Sequence, residues 1–214
     1  KTTAIVGSSG SGKTTVLKLL LSFYQPTEGT IKVGDVSLSN IQTRLWRGRC
    51  GVVMQDGYIF NDTIAHNIAL GDEIIDKKKL LKAVKIANIQ NFIENMPLGY
   101  NTRIGHDGVG LSQGQKQRLL IARAVYKNPE YIFFDEATTA LDAYNEMLIM
   151  ENLEEFFRQR TVVIVAHRLS TVVNADNIVV LEGGEIVEQG THDELTYLRG
   201  AYFQLIRNQL ELGA

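Results

Sequence analysis

Five short runs of this chain are apolar throughout instead of alternating with polar residues: Thr3-Ala4-Ile5-Val6, Val52-Val53-Met54, Tyr131-Ile132-Phe133-Phe134, Thr161-Val162-Val163-Ile164-Val165 and Ile178-Val179-Val180-Leu181. Each is too short for a core helix and rich in β-branched and aromatic residues. A strand that alternates has one wet face, whereas a strand that is apolar throughout is covered on both. Helices packed on the two faces of a parallel sheet provide that cover. Helical periodicity fills the gaps: Thr14 to Ser22 carries Leu17, Leu20 and Leu21, and Ala143 to Arg158 carries Leu148, Leu153, Phe156 and Phe157. The fold class is therefore α/β with a largely parallel sheet. With 214 residues, 44% of them hydrophobic, the chain can bury a core without staples. Cys50 is its only cysteine, which excludes an internal disulfide and fits a reducing compartment.

The middle reads differently. From about Asn61 to Asn128 the pattern is mostly helical. Asp76 stands at the cap of an amphipathic helix carrying Leu80, Leu81, Val84 and Ala87, and Pro97 and Gly99 then break the chain into a loop. We read 61–128 as a helical subdomain inserted into an α/β core of 1–60 and 129–214, all within a single domain, 1–214. At the end, Glu182-Gly183-Gly184-Glu185 is a turn between two strands. Thr191-His192-Asp193-Glu194 has the form of a capping box opening the last helix.

The first apolar run leads straight into Gly7-Ser8-Ser9-Gly10-Ser11-Gly12-Lys13-Thr14, and a helical pattern begins at once. This is G-x-x-x-x-G-K-[ST] in the strand–loop–helix setting that the motif requires. Glycines let the backbone curl until its N–H groups converge on phosphate oxygens, and the helix adds its positive N-terminal end. Lys13 reaches the β- and γ-phosphates, and the Thr14 hydroxyl can ligate magnesium. A Gly/Ser-rich turn is the plainer alternative, and the Lys-Thr pair at the right place argues against it. The run Tyr131-Ile132-Phe133-Phe134 ends in Asp135-Glu136, two carboxylates at the strand end where open α/β sheets bind ligands. Asp135 is placed to hold magnesium through water, and Glu136 to accept a proton from an attacking water. Two further features are weaker alone. Leu111-Ser112-Gln113-Gly114-Gln115 precedes a helix through Lys127, and Ser112 and Gln115 have capping-box spacing. A helix N-terminus bearing serine and glycine is also an anion site. His167, after the buried run ending at Val165, would alone read as a satisfied polar residue.

Taken in order, the phosphate loop (Walker A), Gln55 after a strand, the Leu-Ser-x-Gly-Gln signature, the Walker B carboxylates, Ala140-Leu141-Asp142 and His167 resemble the nucleotide-binding domains of ABC transporters. The resemblance covers essentially the whole chain. It implies a P-loop NTPase core that binds ATP and magnesium and hydrolyses ATP. By that resemblance Gly7, Ser8, Ser9, Gly10, Ser11, Gly12, Lys13, Thr14 and Thr15 hold the nucleotide, and Thr14, Gln55 and Asp135 lie at the metal. Glu136, His167, Gln55 and Lys13 are the catalytic set. Ser112 and Gly114 should contact the γ-phosphate of ATP held by a second copy, Gln113 and Gln115 belong to the same nucleotide-binding set, and Asp142 should lie across the dimer interface. The partners implied are a second nucleotide-binding domain and a transmembrane domain of the same polypeptide, on the cytoplasmic face of a bacterial inner membrane.

Within the family the look is closest to exporters. Gly99-Tyr100-Asn101-Thr102-Arg103-Ile104-Gly105 resembles the exporter loop that meets the transmembrane domain. Gly105-His106-Asp107-Gly108, the Leu-Ser-Gln-Gly-Gln variant and the ending Asn208-Gln209-Leu210-Glu211-Leu212-Gly213 resemble peptide and bacteriocin exporters, many of which carry a peptidase domain. Gln113 replaces the first glycine of the signature, and His106 stands where exporters have glutamate. The chain starts at Lys1 with six residues before the phosphate loop. We therefore expect a soluble fragment of a longer polypeptide, its N-terminal antiparallel β-subdomain truncated and the adenine-stacking aromatic missing. That would weaken ATP binding by roughly ten- to a hundredfold. A net charge of −2 gives no general nucleic-acid surface, and no apolar run approaches the length of a membrane span. A soluble ABC ATPase of DNA maintenance and a non-hydrolysing assembly module are the alternatives. The first lacks its long coiled coil here, and the second is disfavoured by Gln55, Glu136 and His167.

Overall fold

The apolar runs are strands, and helices fill the spaces between them. In chain order the strands are β1 (Thr2–Val6), β2 (Lys32–Val33), β3 (Val36–Ser37), β4 (Cys50–Val53), β5 (Asp62–Thr63), β6 (Arg103–Ile104), β7 (Tyr131–Asp135), β8 (Thr161–Val165), β9 (Asn177–Glu182) and β10 (Glu185–Gly190). The helices are α1 (Lys13–Leu20), α2 (Thr43–Arg49), α3 (Ile64–Ile68), α4 (Lys77–Ile86), α5 (Gln90–Glu94), α6 (Gln113–Tyr126), α7 (Ala143–Phe157), α8 (Leu169–Val172), α9 (His192–Leu198) and α10 (Ala201–Leu212). The computed structural model describes residues 1–166 and 168–212, with backbone alone at 169–170 and 209–212. The chain forms two compact units, one of Lys1–Cys50, Glu130–Glu136 and Gln159–Ala214, the other of Gly51–Pro129 and Ala137–Arg158. The second unit thus takes in more than the 61–128 block, adding the segment after β4 and the whole of α7.

In the first unit the sheet runs β10-β9-β1-β8-β7. β1 lies between β8 and β9 and is parallel to both, and β7 is parallel to β8. Burial explains why these runs lack polar alternation: Ala4, Ile5, Val6, Ile132, Phe133, Phe134, Val162, Ile164, Ile178 and Val180 are all buried. β10 returns antiparallel on β9 through Gly183 and Gly184. Both have positive φ, the backbone that a two-residue hairpin turn needs and that glycine adopts without steric cost. α1 buries Leu17, and Leu21 continues the same face one turn on, while Leu20 is half-buried. Trp46 of α2 donates from Nε1 to Leu20 O at 2.8 Å, and its ring packs 4.7 Å from that of Tyr131. The capping box at Thr191 opens α9, which is the last helix but one and not the last, because the chain leaves the helix at Arg199 with a left-handed backbone and α10 follows. Glu188 of β10 accepts from the N–H groups of Ala201 and Tyr202, both at 2.8 Å, and so fixes the start of α10.

In the second unit α6 packs against α3 and α4, and α4 against α7. Asp76 caps α4 by accepting from Lys78 N and Lys79 N. The buried face of α4 is Leu80, Ala83, Val84 and Ala87, while Leu81 is exposed. The sequence reading placed Leu81 on that face. A helix turns about 100° per residue, so 80, 84 and 87 share a side that 81 leaves. At the centre stands Asn67 of α3, fully buried. Its Oδ1 accepts from Phe60 N at 2.8 Å, and its Nδ2 donates to Phe60 O at 2.9 Å and Thr63 O at 3.1 Å. Arg123 of α6 reaches it with Nε on Asn67 O at 2.7 Å and a second nitrogen on Oδ1 at 3.1 Å. Burial lowers the Arg123 guanidinium to about 10, which leaves it charged at neutral pH. This one amide bonds both backbone groups of Phe60, just before β5, and the carbonyl of Thr63 at its end. Asn67→Ala should cost about 2–3 kcal/mol by urea denaturation, because buried polar groups lose their partners together. A change below about 0.5 kcal/mol, the size of an ordinary surface substitution, would mean that these backbone groups find other partners.

Candidate functional site

Lateral register assembles the site in the first unit. Ile5 of β1 stands opposite Val165 of β8, and Val165 stands opposite Asp135 of β7. The carboxyl ends of three parallel strands therefore finish nearly level, and the chain leaving each one enters the same crevice. From β1 emerge Gly7 and the loop. From β7 come Asp135 and then Glu136, whose N–H donates to Val165 O at 3.0 Å. His167, two residues beyond Val165, lies outside the described residues.

The loop is held from below and open above. Gly7 is buried with φ +152°, and a methyl group in place of its hydrogen would lie 2.2 Å from Leu181 O of β9. Only glycine fits there. Gly10 and Gly12 also have positive φ, and Ser11 N donates to Ser8 O at 3.2 Å to close the curl. The turn between β9 and β10 supports it, since Gly184 N donates to Ser11 O at 3.2 Å. Ser8, Ser9 and Gly10 are exposed at the mouth, while Ser11 and Lys13 are buried in the floor. Gly12 stands at the start of α1 with no side chain capping that end. The backbone donors of the first turn are not consumed by a cap and suit an anion.

Lys13 and the two carboxylates carry the charge of this site. The ammonium donates to Gly7 O at 2.9 Å, to Ser8 O at 2.7 Å and to Ser11 Oγ at 3.4 Å. Burial lowers its pKa, against the opposing pull of Glu136 and Asp135. Asp135 is 3% exposed, and burial raises its pKa, with Glu136 adding to the rise and Thr14 working against it. Thr14 Oγ1 donates to Asp135 Oδ1 at 3.3 Å. A hydroxyl and a carboxylate held that close form a hard-oxygen pair of the kind magnesium accepts while taking its other ligands from water and phosphate. Among the described residues no cluster of three or more His, Cys, Asp or Glu could hold a metal by itself. Glu136 has φ +52°, a left-handed backbone uncommon for a non-glycine residue.

The second unit holds the other group of residues picked out in the sequence. Ser112 caps α6 in a reciprocal box: its Oγ accepts from Gln115 N at 3.2 Å, and Gln115 Oε1 accepts from Ser112 N at 2.9 Å. Ser112 and Gln113 are exposed at the start of the helix. Asp142 caps α7, accepting from the N–H of Asn145 at 3.0 Å and from its side chain at 2.6 Å. The backbone bond first, then the side-chain bond, lowers its pKa. Gln55 is exposed in the segment after β4. His106 is exposed too, paired through Nδ1 with Asp107 at 2.8 Å. Thr15, in the first unit, is exposed on α1. Sequence reasoning missed Gly184 as a brace of the loop, the left-handed backbone of Glu136, and Gln117 on α6. Of these only Gln117 left a signal, a polar residue on the apolar face of a helix.

A strand–loop–helix phosphate cradle on β1, with a carboxylate pair at the end of β7, the parallel strand beyond β8, defines a P-loop nucleotide-binding core. Residues 1–139 match the family model described as ABC transporter, and the chain belongs to that family. It is 46% identical over 205 residues, 96% of its length, to a putative multidrug export ATP-binding/permease protein of Staphylococcus aureus. It is also 46% identical over 213 residues to the heterocyst differentiation ATP-binding protein HepA of Nostoc. It spans only 36% and 35% of those two proteins. Among solved structures it resembles a bacterial Atm1-family ABC exporter with ATP bound, with a TM-score of 0.94, 41% identity, and coverage of 98% of this chain and 37% of that one.

The raised pKa of Asp135 has a sign that can be read. A carboxyl that holds its proton more tightly when folded makes its ionised form a net cost to folding at neutral pH. The cost vanishes as pH falls below the unfolded pKa and is complete above the folded one. Asp135→Asn removes the charge and keeps an acceptor for Thr14. It should raise the nucleotide-free melting temperature at pH 7 by about 2–4 °C, with the gain disappearing at acid pH. A lower melting temperature at pH 7 would contradict the sign.

Proposed function

We propose that this chain is the ATP-hydrolysing engine of an ABC exporter, converting ATP and water to ADP and phosphate to power transport across a membrane. The observation that carries the reading is the convergence of Lys13, Thr14, Asp135 and Glu136 at the carboxyl ends of β1 and β7. The loop N–H groups and Lys13 bind the phosphates and stabilise charge on the transferring phosphoryl group. Lys13 exchanges its bonds to Gly7 O and Ser8 O for bonds to phosphate oxygens. Thr14 and, through water, Asp135 would hold magnesium, and by family resemblance Gln55 is assigned to the metal as well; the metal would neutralise phosphate charge. Glu136 accepts the proton of the attacking water, and His167 helps to position that water.

A second copy completes the site. Ser112, Gly114 and Gln115 at the open start of α6 face the γ-phosphate held by the partner, and Asp142 lies across the interface. ATP then favours the closed pair and hydrolysis releases it. Sequence kinship to export proteins supports a transport role over DNA maintenance. By the same kinship the working partner is a transmembrane domain, with this chain on the cytoplasmic face of the membrane.

Replacing Glu136 by Gln keeps the shape of the site and removes the base. The variant should bind ATP as tightly as the parent within about twofold, lose at least about a hundredfold in turnover, and accumulate as a dimer with ATP in analytical ultracentrifugation. Turnover within about threefold of the parent would remove Glu136 from the role of base.

A further inference from the structure

Helix α6 carries one polar side chain on its buried face. Positions 117, 120, 121 and 124 fall on one side of the helix, and Leu120, Ile121 and Ala124 are buried apolar residues. Gln117 is among them, 6% exposed. A buried amide is tolerated where it satisfies another polar group. Its Oε1 accepts from Ala140 N at 3.0 Å. Ala140 lies in the segment 137–142, which follows Glu136 directly and ends at Asp142.

Further contacts hold that segment between the start of α6 and the first turns of α7. A methyl group on Gly114 would lie 3.2 Å from Ala140 O, so the two backbones approach closely at the start of the helix. Thr138 Oγ1 donates to Glu146 Oε1 at 2.9 Å in a buried position, and Leu141 N donates to Thr138 O at 3.0 Å. Arg118, beside Gln117, donates to Asn88 O at 2.9 Å and Asn145 Oδ1 at 3.4 Å, and Asn145 in turn holds Asp142. Glu136 ends a stretch of the first unit and Ala137 begins one of the second. The peptide bond between them joins the base to a segment fastened to the signature helix.

We propose that Gln117 is a positioning residue for hydrolysis. By accepting the Ala140 N–H, it ties the segment after Glu136 to α6, so that engagement of Ser112–Gln115 also sets the backbone that carries the base. It acts through this backbone and not on the nucleotide. The inference rests on the hydrolytic roles given above to Glu136 and the signature residues.

Two variants test it. Gln117→Met keeps the volume and removes the acceptor, and Gln117→Glu restores an acceptor oxygen at the same place. Gln117→Met should lower kcat about tenfold with the ATP dissociation constant within twofold of the parent. It should also speed hydrogen exchange at the Ala140 amide, while melting within a few degrees of the parent. Gln117→Glu should recover both kcat and the exchange protection. A Gln117→Met chain with parental kcat, or one whose ATP affinity falls in step with kcat, overturns the proposal and leaves the hydrolytic reading standing. If Gln117→Met does not fold, the Glu variant decides alone: slow Ala140 exchange with kcat down tenfold also overturns it. A parent chain without ATPase activity overturns the hydrolytic reading itself, and this inference with it.

Discussion

The alignment of β1, β8 and β7 is the constraint on which the rest of the first unit depends. Because Ile5, Val165 and Asp135 stand level, the phosphate loop and the carboxylate pair leave the sheet at the same height. A one-residue slip of β7 would turn Asp135 to the other face and replace it with a phenylalanine. Side chains of different volume close-packed on both faces of the buried strands resist such a slip. The Thr14–Asp135 hydrogen bond is the visible product of that alignment. It costs stability to keep a carboxylate buried there.

The loop shows how ligand sites borrow backbone chemistry. Lys13 rests on carbonyl oxygens of the very loop that would hold phosphates. These contacts keep the ammonium charged in a buried place and aim it at the mouth. Burial lowers its pKa while the nearby carboxylates oppose the fall. The loop therefore carries its own counter-dipoles until an anion arrives.

Much of this was legible in the sequence, and the reasons for the rest are physical. Uniformly apolar runs located β1, β4, β7, β8 and β9 because burial on both faces leaves no room for polar alternation. Capping residues marked the starts of α4, α6 and α9 because side-chain oxygens there must satisfy free N–H groups. The phosphate loop was legible because its chemistry is local, written in eight consecutive residues. What escaped was long-range. Leu81 looked like a core residue until the helix phase was fixed by its neighbours. The extent of the second unit escaped because α7 joins it through contacts far from 61–128 in the chain. Asn67 as a hub and Gln117 as a tether depend on which backbone groups another segment leaves unpaired, and no local pattern records that.

The central claim is that the first unit recognises its ligand by the phosphate chain. It is tested most directly by titrating adenosine, AMP, ADP and ATP against the chain in magnesium buffer by calorimetry. The account predicts weak binding of adenosine and AMP, and a gain of at least about tenfold, or 1.4 kcal/mol, on adding the β-phosphate that the loop and Lys13 should grip. Equal affinity across the four ligands would contradict it, since recognition would then lie in the nucleoside and not in the cradle from Gly7 to Thr14.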